Sequence, residues 1–182
     1  ELMPHLKVVT ASPSQVLVRT HPETQPRVTK DLQITVTDQF GNHVEGFHGA
    51  FNVSTGETGD VSKTDFVLKP EDLGSRRFPD SVVFQEEGTY RVKVKSVNID
   101  GVRPLCGVGP PVVCRRKSDE LNVLWGDLHG HSYCSDGTHT PEYYYNYARN
   151  IGYLDFCALT DHDTFSDGVW QDLMHTADRA NE

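Results

Sequence analysis

Residues 121–182 constrain the fold more tightly than any other stretch, because a helical period lies there between two short strand-like runs. LNVLWGDLH (121–129) begins apolar and turns polar at its C-terminal end. Thr140 then supplies a helix N-cap, Pro141 a first helical residue and Glu142 a charge for the positive end of the helix dipole. Tyr144, Tyr147, Ala148 and Ile151 recur at i, i+3, i+4 and i+7, predicting a helix over 141–151 that Gly152 closes. YLDFCALT (153–160) is a continuous apolar run, as expected of a parallel strand covered on both faces. SDGVWQDLMHTADRAN predicts a second helix capped by Ser166 or Asp167, with Trp170, Leu173, Met174 and Ala177 as its buried stripe. Strand, helix, strand, helix is the grammar of βα architectures, whose chemistry sits at the C-terminal ends of the strands. A closed eightfold barrel takes about 250 residues. The segment is therefore expected to be the first two βα units of a domain cut short.

Residues 1–118 follow a different rule. LKVVTASP and QVLVRT are β-rich, and DLQITVTDQFGN alternates Leu32, Ile34 and Val36 with polar residues before a turn, the pattern of a half-buried strand entering a hairpin. AFNVST, KTDFVLK and SVVFQ repeat it, and EEGTYRVKVKSV places Tyr90, Val92, Val94 and Val97 after a glycine turn. Strands at this spacing predict an all-β sandwich. The run G-x-Y-x-V-x-V resembles the tyrosine corner of immunoglobulin-like and fibronectin-like sandwiches, where a tyrosine hydroxyl bonds a nearby backbone group. DGVRPLCGVGPPVVCRRKS (100–118), rich in glycine and proline, is expected to be a long hairpin loop or an interdomain connection. The domain boundary is placed near Asp119. The chain is thus expected to be multidomain, an immunoglobulin-like sandwich over 1–118 and the βα segment over 119–182.

Charge and composition narrow the partners. Lys plus Arg number 17 against 26 Asp plus Glu, a net charge of −9, so no basic surface can hold a long nucleic acid by charge. No apolar run approaches the roughly 20 residues of a membrane span, and ELMPHLKVV lacks the charged and apolar regions of a signal segment. The missing initiator Met suggests a piece of a longer protein, which leaves compartment and oligomeric state open. Of the four Cys, only Cys106 and Cys114 lie near enough in sequence for a local disulfide, and the compartment decides whether one forms. His5, His21, His43 and His48 have no ligand spacing and are assigned no role.

The chemistry gathers at the two strand ends. His129 and His131, two apart on a strand, point to one side and can grip one metal ion. Asp136, Asp161, His162 and Asp163 fall in loops that the same topology brings to that rim. A mixed set of imidazoles and carboxylates suits zinc, manganese or iron. Ser132, Cys134 and Ser135 read as loop residues, since no activating base stands at a fixed spacing, and Cys157 as a small core residue. His139 is a candidate substrate contact, and His175 an exposed residue.

DLHGHSYCSDG followed by ALTDHD resembles the first two motifs of the PHP family, the polymerase and histidinol phosphatase metallohydrolases. WGDLHGHS, TPEYYYNYAR and TDHDTFSDGVW are similar to its DUF3604 and CehA/McbA-like branch. The resemblance covers residues 123 to 182. It implies a distorted βα barrel, TIM-like, in which two or three divalent metals activate a water against a small-molecule phosphoester, or in some branches a carbamate or amide. It implies that His129 and His131 bind one metal, that Asp136 and His162 bind a neighbouring one, and that Asp127, Asp161 and Asp163 orient imidazoles. The family pattern continues with a bridging Glu, further His and a late Asp-x-His, none of which this chain contains, so only a half-site is expected. The competing expectation is a binding or adhesion module in which the sandwich carries the function and the barrel is accessory.

Overall fold

The computed structural model describes residues 9–56, 59–62, 65–97, 103–116, 124–163 and 167–182. The chain divides into two compact units, Glu1–Asp119 and Glu120–Glu182. Of the run LKVVTASP, residues 6–8 lie outside the described residues and residues 9–13 form no strand, contrary to expectation; the first described strand is QVLVR.

Among its described residues the first unit is all-β apart from one 3-10 turn. Its strands are β1 (Gln15–Arg19), β2 (Glu23–Thr24), β3 (Lys30–Thr37), β4 (Gly49–Ser54), β5 (Gly59–Val61), β6 (Phe66–Leu68), β7 (Ser75–Phe84), β8 (Gly88–Tyr90), β9 (Lys93–Ser96), β10 (Cys106–Val108) and β11 (Val112–Cys114). Two antiparallel four-stranded sheets, ordered β1-β3-β7-β5 and β10-β9-β4-β6, supply one core. Leu32, Ile34 and Val36 come from the first sheet and Phe51, Leu68 and Val94 from the second, all buried. Packing two apolar faces in this way is the sandwich solution, and each fully buried aliphatic or Phe side chain contributes about 1.5–3 kcal/mol of transfer free energy.

Two expectations need correcting here. β3 is buried on both faces, because Gln33, Thr35 and Thr37 are also enclosed. Polar residues tolerate this through one another: Gln33 Nε2 donates to Ser75 Oγ at 2.6 Å, and Ser75 Oγ lies 2.6 Å from Thr35 Oγ1. The segment 100–118 is not simply a loop. Within it β10 joins the second sheet, and β11 pairs parallel with β2 and antiparallel with β8 in a three-stranded sheet. Val112 and Cys114 fill the core, which gives this glycine- and proline-rich stretch a reason to be extended. Cys106 and Cys114 are free thiols on different sheets, the first exposed and the second buried. Val97, grouped by pattern with Val92 and Val94, lies past the end of β9 and is exposed.

The tyrosine corner has its hydrogen bond: Tyr90 Oη donates to the Glu86 carbonyl at 2.9 Å. The same ring stacks on Phe84 with centroids 4.5 Å apart. One side chain thereby ties the β7–β8 turn to the core.

The second unit contains β12 (Gly126–Gly130), α1 (Pro141–Tyr147), β13 (Phe156–Leu159) and α2 (Asp167–Asn181). β12 and β13 pair in parallel with α1 as the crossover between them. Thr140 Oγ1 accepts the Tyr143 amide at 3.1 Å, the N-cap read from the sequence. The helix ends differently from expectation. Its α-helical part stops at Tyr147, a π turn runs over Ala148–Gly152, and Tyr153, not Gly152, takes the left-handed conformation with φ 53°. Ala148 is buried, while Tyr147, the last residue of the α-helical part, is exposed.

β13 is half-buried rather than covered on both faces, since among the described residues its sheet has two strands. The expected stripe of α2 is also displaced. Trp170 and Met174 are 52% and 45% exposed, whereas Thr176 is buried and donates to the Asp172 carbonyl at 2.8 Å. α2 meets α1 through Glu142, whose carboxylate lies 3.3 Å from both Thr176 Oγ1 and an Arg179 nitrogen, so the contact is polar and Trp170 stays outside it. No helix among the described residues is long and apolar enough to cross a membrane.

Candidate metal centre

The loops after β12 and β13 hold the chemistry. His131, Asp136 and His162 bring one potential ligand atom each to within 4.8 Å of one another. Asp136 is the hub: its Oδ1 lies 2.6 Å from His131 Nδ1 and its Oδ2 lies 3.6 Å from His162 Nε2. The His131 and His162 rings meet edge to face with centroids 4.6 Å apart. The His131 hydrogen bond, with the charges of His131 and His162, holds the Asp136 carboxyl below the ordinary carboxylate range against the effect of burial. An ionised carboxylate only accepts, so the proton of the 2.6 Å contact belongs to His131 Nδ1. Nε2 is then the His131 nitrogen left to offer a lone pair to a metal ion. Two ligands of one zinc, each about 2.1 Å from it, sit roughly 3 Å or more apart. The close pair is thus a shared-proton contact, of the carboxylate–imidazole kind that orients metal-binding histidines.

His129 stands beside this group. Its ring centroid is 5.0 Å from that of His131, and its backbone amide donates to Asp127 Oδ1 at 3.0 Å. The register of β12 against β13 shifts between Asp127 and Gly130, so a bulge intervenes where sequence alternation places His129 in a regular strand.

The three carboxylates expected to orient imidazoles bond backbone and serine groups or face solvent. Asp127 caps the His129 amide. Asp161 accepts from Ser132 N and Ser132 Oγ, both at 2.7 Å, and from Ser135 Oγ at 2.5 Å. Burial pushes the Asp161 carboxyl up, but these donors outweigh it and hold the group below its usual range. Asp163 is exposed. The carboxylate that does contact imidazoles is Asp136.

Sequence reasoning missed Ser132, which is 1% exposed. Besides its two bonds to Asp161, its hydroxyl accepts the Cys134 amide at 3.1 Å and its carbonyl accepts the amides of Ser135 and Gly137 at 3.1 and 2.9 Å. Gly137 is required by close approach: a Cβ there would lie 2.2 Å from the His131 carbonyl oxygen. Gly130 meets a similar limit, with the Tyr144 ring 2.2 Å from where its Cβ would stand. Tyr144 Oη donates to the Ala158 carbonyl at 3.0 Å, and burial, followed by the nearby Asp127 charge, pushes its phenol up to about 12. Gly in H-G-H and in D-G was the available signal; nothing in the sequence marks Ser132. His139 stacks on Tyr143 with centroids 4.1 Å apart and is exposed. Cys157 is half-buried in β13, as a small packing residue would be.

No family model matches the chain. An uncharacterized protein of Chlamydia pneumoniae is 26% identical over 125 residues, which is 67% of this chain and 18% of that protein. The chain therefore matches less than a fifth of that relative's length. Among solved structures, the PKD domain of the human VPS10 domain-containing receptor SorCS2 aligns with a TM-score of 0.36 and 19% identity, over 66% of this chain and 88% of that one.

Proposed function

We propose that the second unit carries part of the metal centre of a PHP-type hydrolase, a metal-dependent phosphoesterase, preceded by an immunoglobulin-like sandwich. The observation that carries this reading is the convergence of His131, Asp136 and His162 from two strand-end loops onto one spot. The donor set is chemically right for zinc, manganese or iron, because it mixes imidazole nitrogens with a carboxylate. His131 would offer Nε2 while Asp136 fixes its tautomer, and His162 and His129 would add nitrogens from either side. When bound, such an ion lowers the pKa of a coordinated water to about 7 and offsets charge on a phosphoryl oxygen. The chain's own part is to aim the imidazoles, and Asp136 does this by accepting a hydrogen bond from His131 Nδ1. Carbamate or amide hydrolysis is the alternative chemistry for the same donors.

The test is a manganese-loaded screen of phosphomonoesters, phosphodiesters and carbamates with the full-length protein that carries these residues, beside His129→Ala and His131→Ala. Turnover of a phosphoester, lost in both variants together with bound metal and without a fall in melting temperature, is expected. Full metal occupancy and turnover in both variants would sink the ligand assignment. A metal-loaded but inert parent would favour the reading in which the sandwich binds a partner and the second unit is accessory. The 182-residue chain alone is expected to bind metal weakly and to turn nothing over, since the bridging Glu, further His and late Asp-x-His that the resemblance implies are not among its residues.

A further inference from the structure

We propose that Asp161 is a positioning residue whose carboxylate clasps Ser132 and Ser135 and so registers His131 and Asp136 against His162. The consequence for metal binding rests on the reading above, whereas the clasp is a statement about the chain itself. The three clasp residues are sequence neighbours of the three cluster residues: Ser132 follows His131, Ser135 precedes Asp136, and Asp161 precedes His162. Asp161 Oδ1 takes the Ser132 amide and the Ser135 hydroxyl, and Oδ2 takes the Ser132 hydroxyl. Each bond therefore spans from the loop after β12 to the end of β13, one residue away from a candidate ligand.

The loop has little else to hold it there. Its internal bonds, from the Cys134, Ser135 and Gly137 amides to Ser132, fold it on itself without tying it to β13. Beyond the clasp, Asp136 Oδ2 lies 3.6 Å from His162 Nε2 and the His131 and His162 rings touch, while Thr160 N and Oγ1 reach the Gly130 carbonyl, at 2.7 and 3.3 Å, before the loop begins. Hydrogen bonds to an ionised carboxylate are roughly twice as strong as neutral ones, and Ser132 makes its pair out of solvent. With the clasp closed, the 2.6 Å contact between His131 and Asp136 forms before any ion arrives. With it open, an ion would have to order both loops on binding, and its affinity would drop accordingly.

The experiment reads the clasp in two ways. In the metal-free chain, nitrogen-15 correlation spectra of the imidazoles should find neutral His131 protonated at Nδ1, the form that donates to Asp136. Asp161→Asn turns one acceptor oxygen into a donor facing Ser132 and should return His131 to the ordinary tautomer mixture. Cobalt(II) titration followed by visible absorption should show that variant weakened by about 10- to 100-fold, the usual loss when an outer partner of a metal site is removed. Ser135→Ala should weaken cobalt binding a few-fold and Ser135→Thr, which keeps the hydroxyl, should restore it; this pair decides the matter if Asp161→Asn fails to fold. Unchanged tautomer and affinity in Asp161→Asn, or equal behaviour of Ser135→Ala and Ser135→Thr, would overturn the proposal. If the parent and His131→Ala take up cobalt alike, or the parent takes up none, the metal reading fails and the tautomer still decides the clasp.

Discussion

Single residues carry much of the order in both units, and Asp38 illustrates how one carboxylate can govern a turn. Its Oδ1 accepts the amides of Phe40 and Asn42, and its Oδ2 accepts the amide of Ala11 and the Asn42 side chain. Burial pushes this carboxyl up, yet the four donors prevail and bring it down to about 2. The unfolded chain, near the ordinary 3.8, takes up a proton first on acidification. Asp38 thus contributes stability that is complete above pH 3.8 and is lost as pH falls through about 2. Asp38→Asn should melt several degrees lower at neutral pH, and its stability relative to the parent should recover as pH drops from 3.8 toward 2. Urea melts across that range check this; parallel acid limbs in the two proteins would refute it. The turn itself is legible as D-x-F-G-N, because Asp, Gly and Asn each have a local reason to be there. Ser132 is not, since a serine in a polar loop has the same spelling whether it is exposed or, as here, enclosed and bonded across 29 residues.

At the scale of elements, alternation revealed the strands wherever one face meets the core and the other does not. Leu32, Ile34 and Val36 alternate legibly even though Gln33, Thr35 and Thr37 between and after them are enclosed too, but β10 and β11 are hidden because Gly107, Gly109, Pro110 and Pro111 spell a loop. Gly107 is in fact a strand residue chosen for close approach: a Cβ there would fall 2.1 Å from the Val16 carbonyl oxygen. The helices show the converse. The cap at Thr140 is local and therefore readable, whereas the π turn after Tyr147 and the exposure of Trp170 depend on what packs alongside. The tyrosine corner gives an element-level prediction. Tyr90→Phe keeps the ring that stacks on Phe84 and removes the bond to the Glu86 carbonyl, so it should cost about 0.5–1.5 kcal/mol. Chemical denaturation should register that loss with an unchanged m-value; a neutral substitution would mean the corner does not hold the β7–β8 turn.

For the whole molecule, the division into Glu1–Asp119 and Glu120–Glu182 makes independence testable. The first unit has its own enclosed core, so a chain ending at Asp119 should give a β-type circular dichroism spectrum and one cooperative melt. A helical or featureless spectrum would place the boundary elsewhere. The second unit, with Leu128, Trp125 and Phe156 all exposed on its two-stranded sheet, should be the less stable and the more prone to associate. The cluster of His131, Asp136 and His162 was legible because its residues sit close to strand ends that the βα pattern announces; the separate contacts of Asp136 and Asp161 were not, because they depend on a register shift in β12 and on the folding of one loop. The same division has an optical consequence. The protein's two indoles, Trp125 and Trp170, both belong to the second unit and both are about half exposed. Emission excited at the red edge of the indole band therefore arises from the second unit, whereas the first unit, which holds Tyr90 and no indole, is followed by its far-ultraviolet ellipticity.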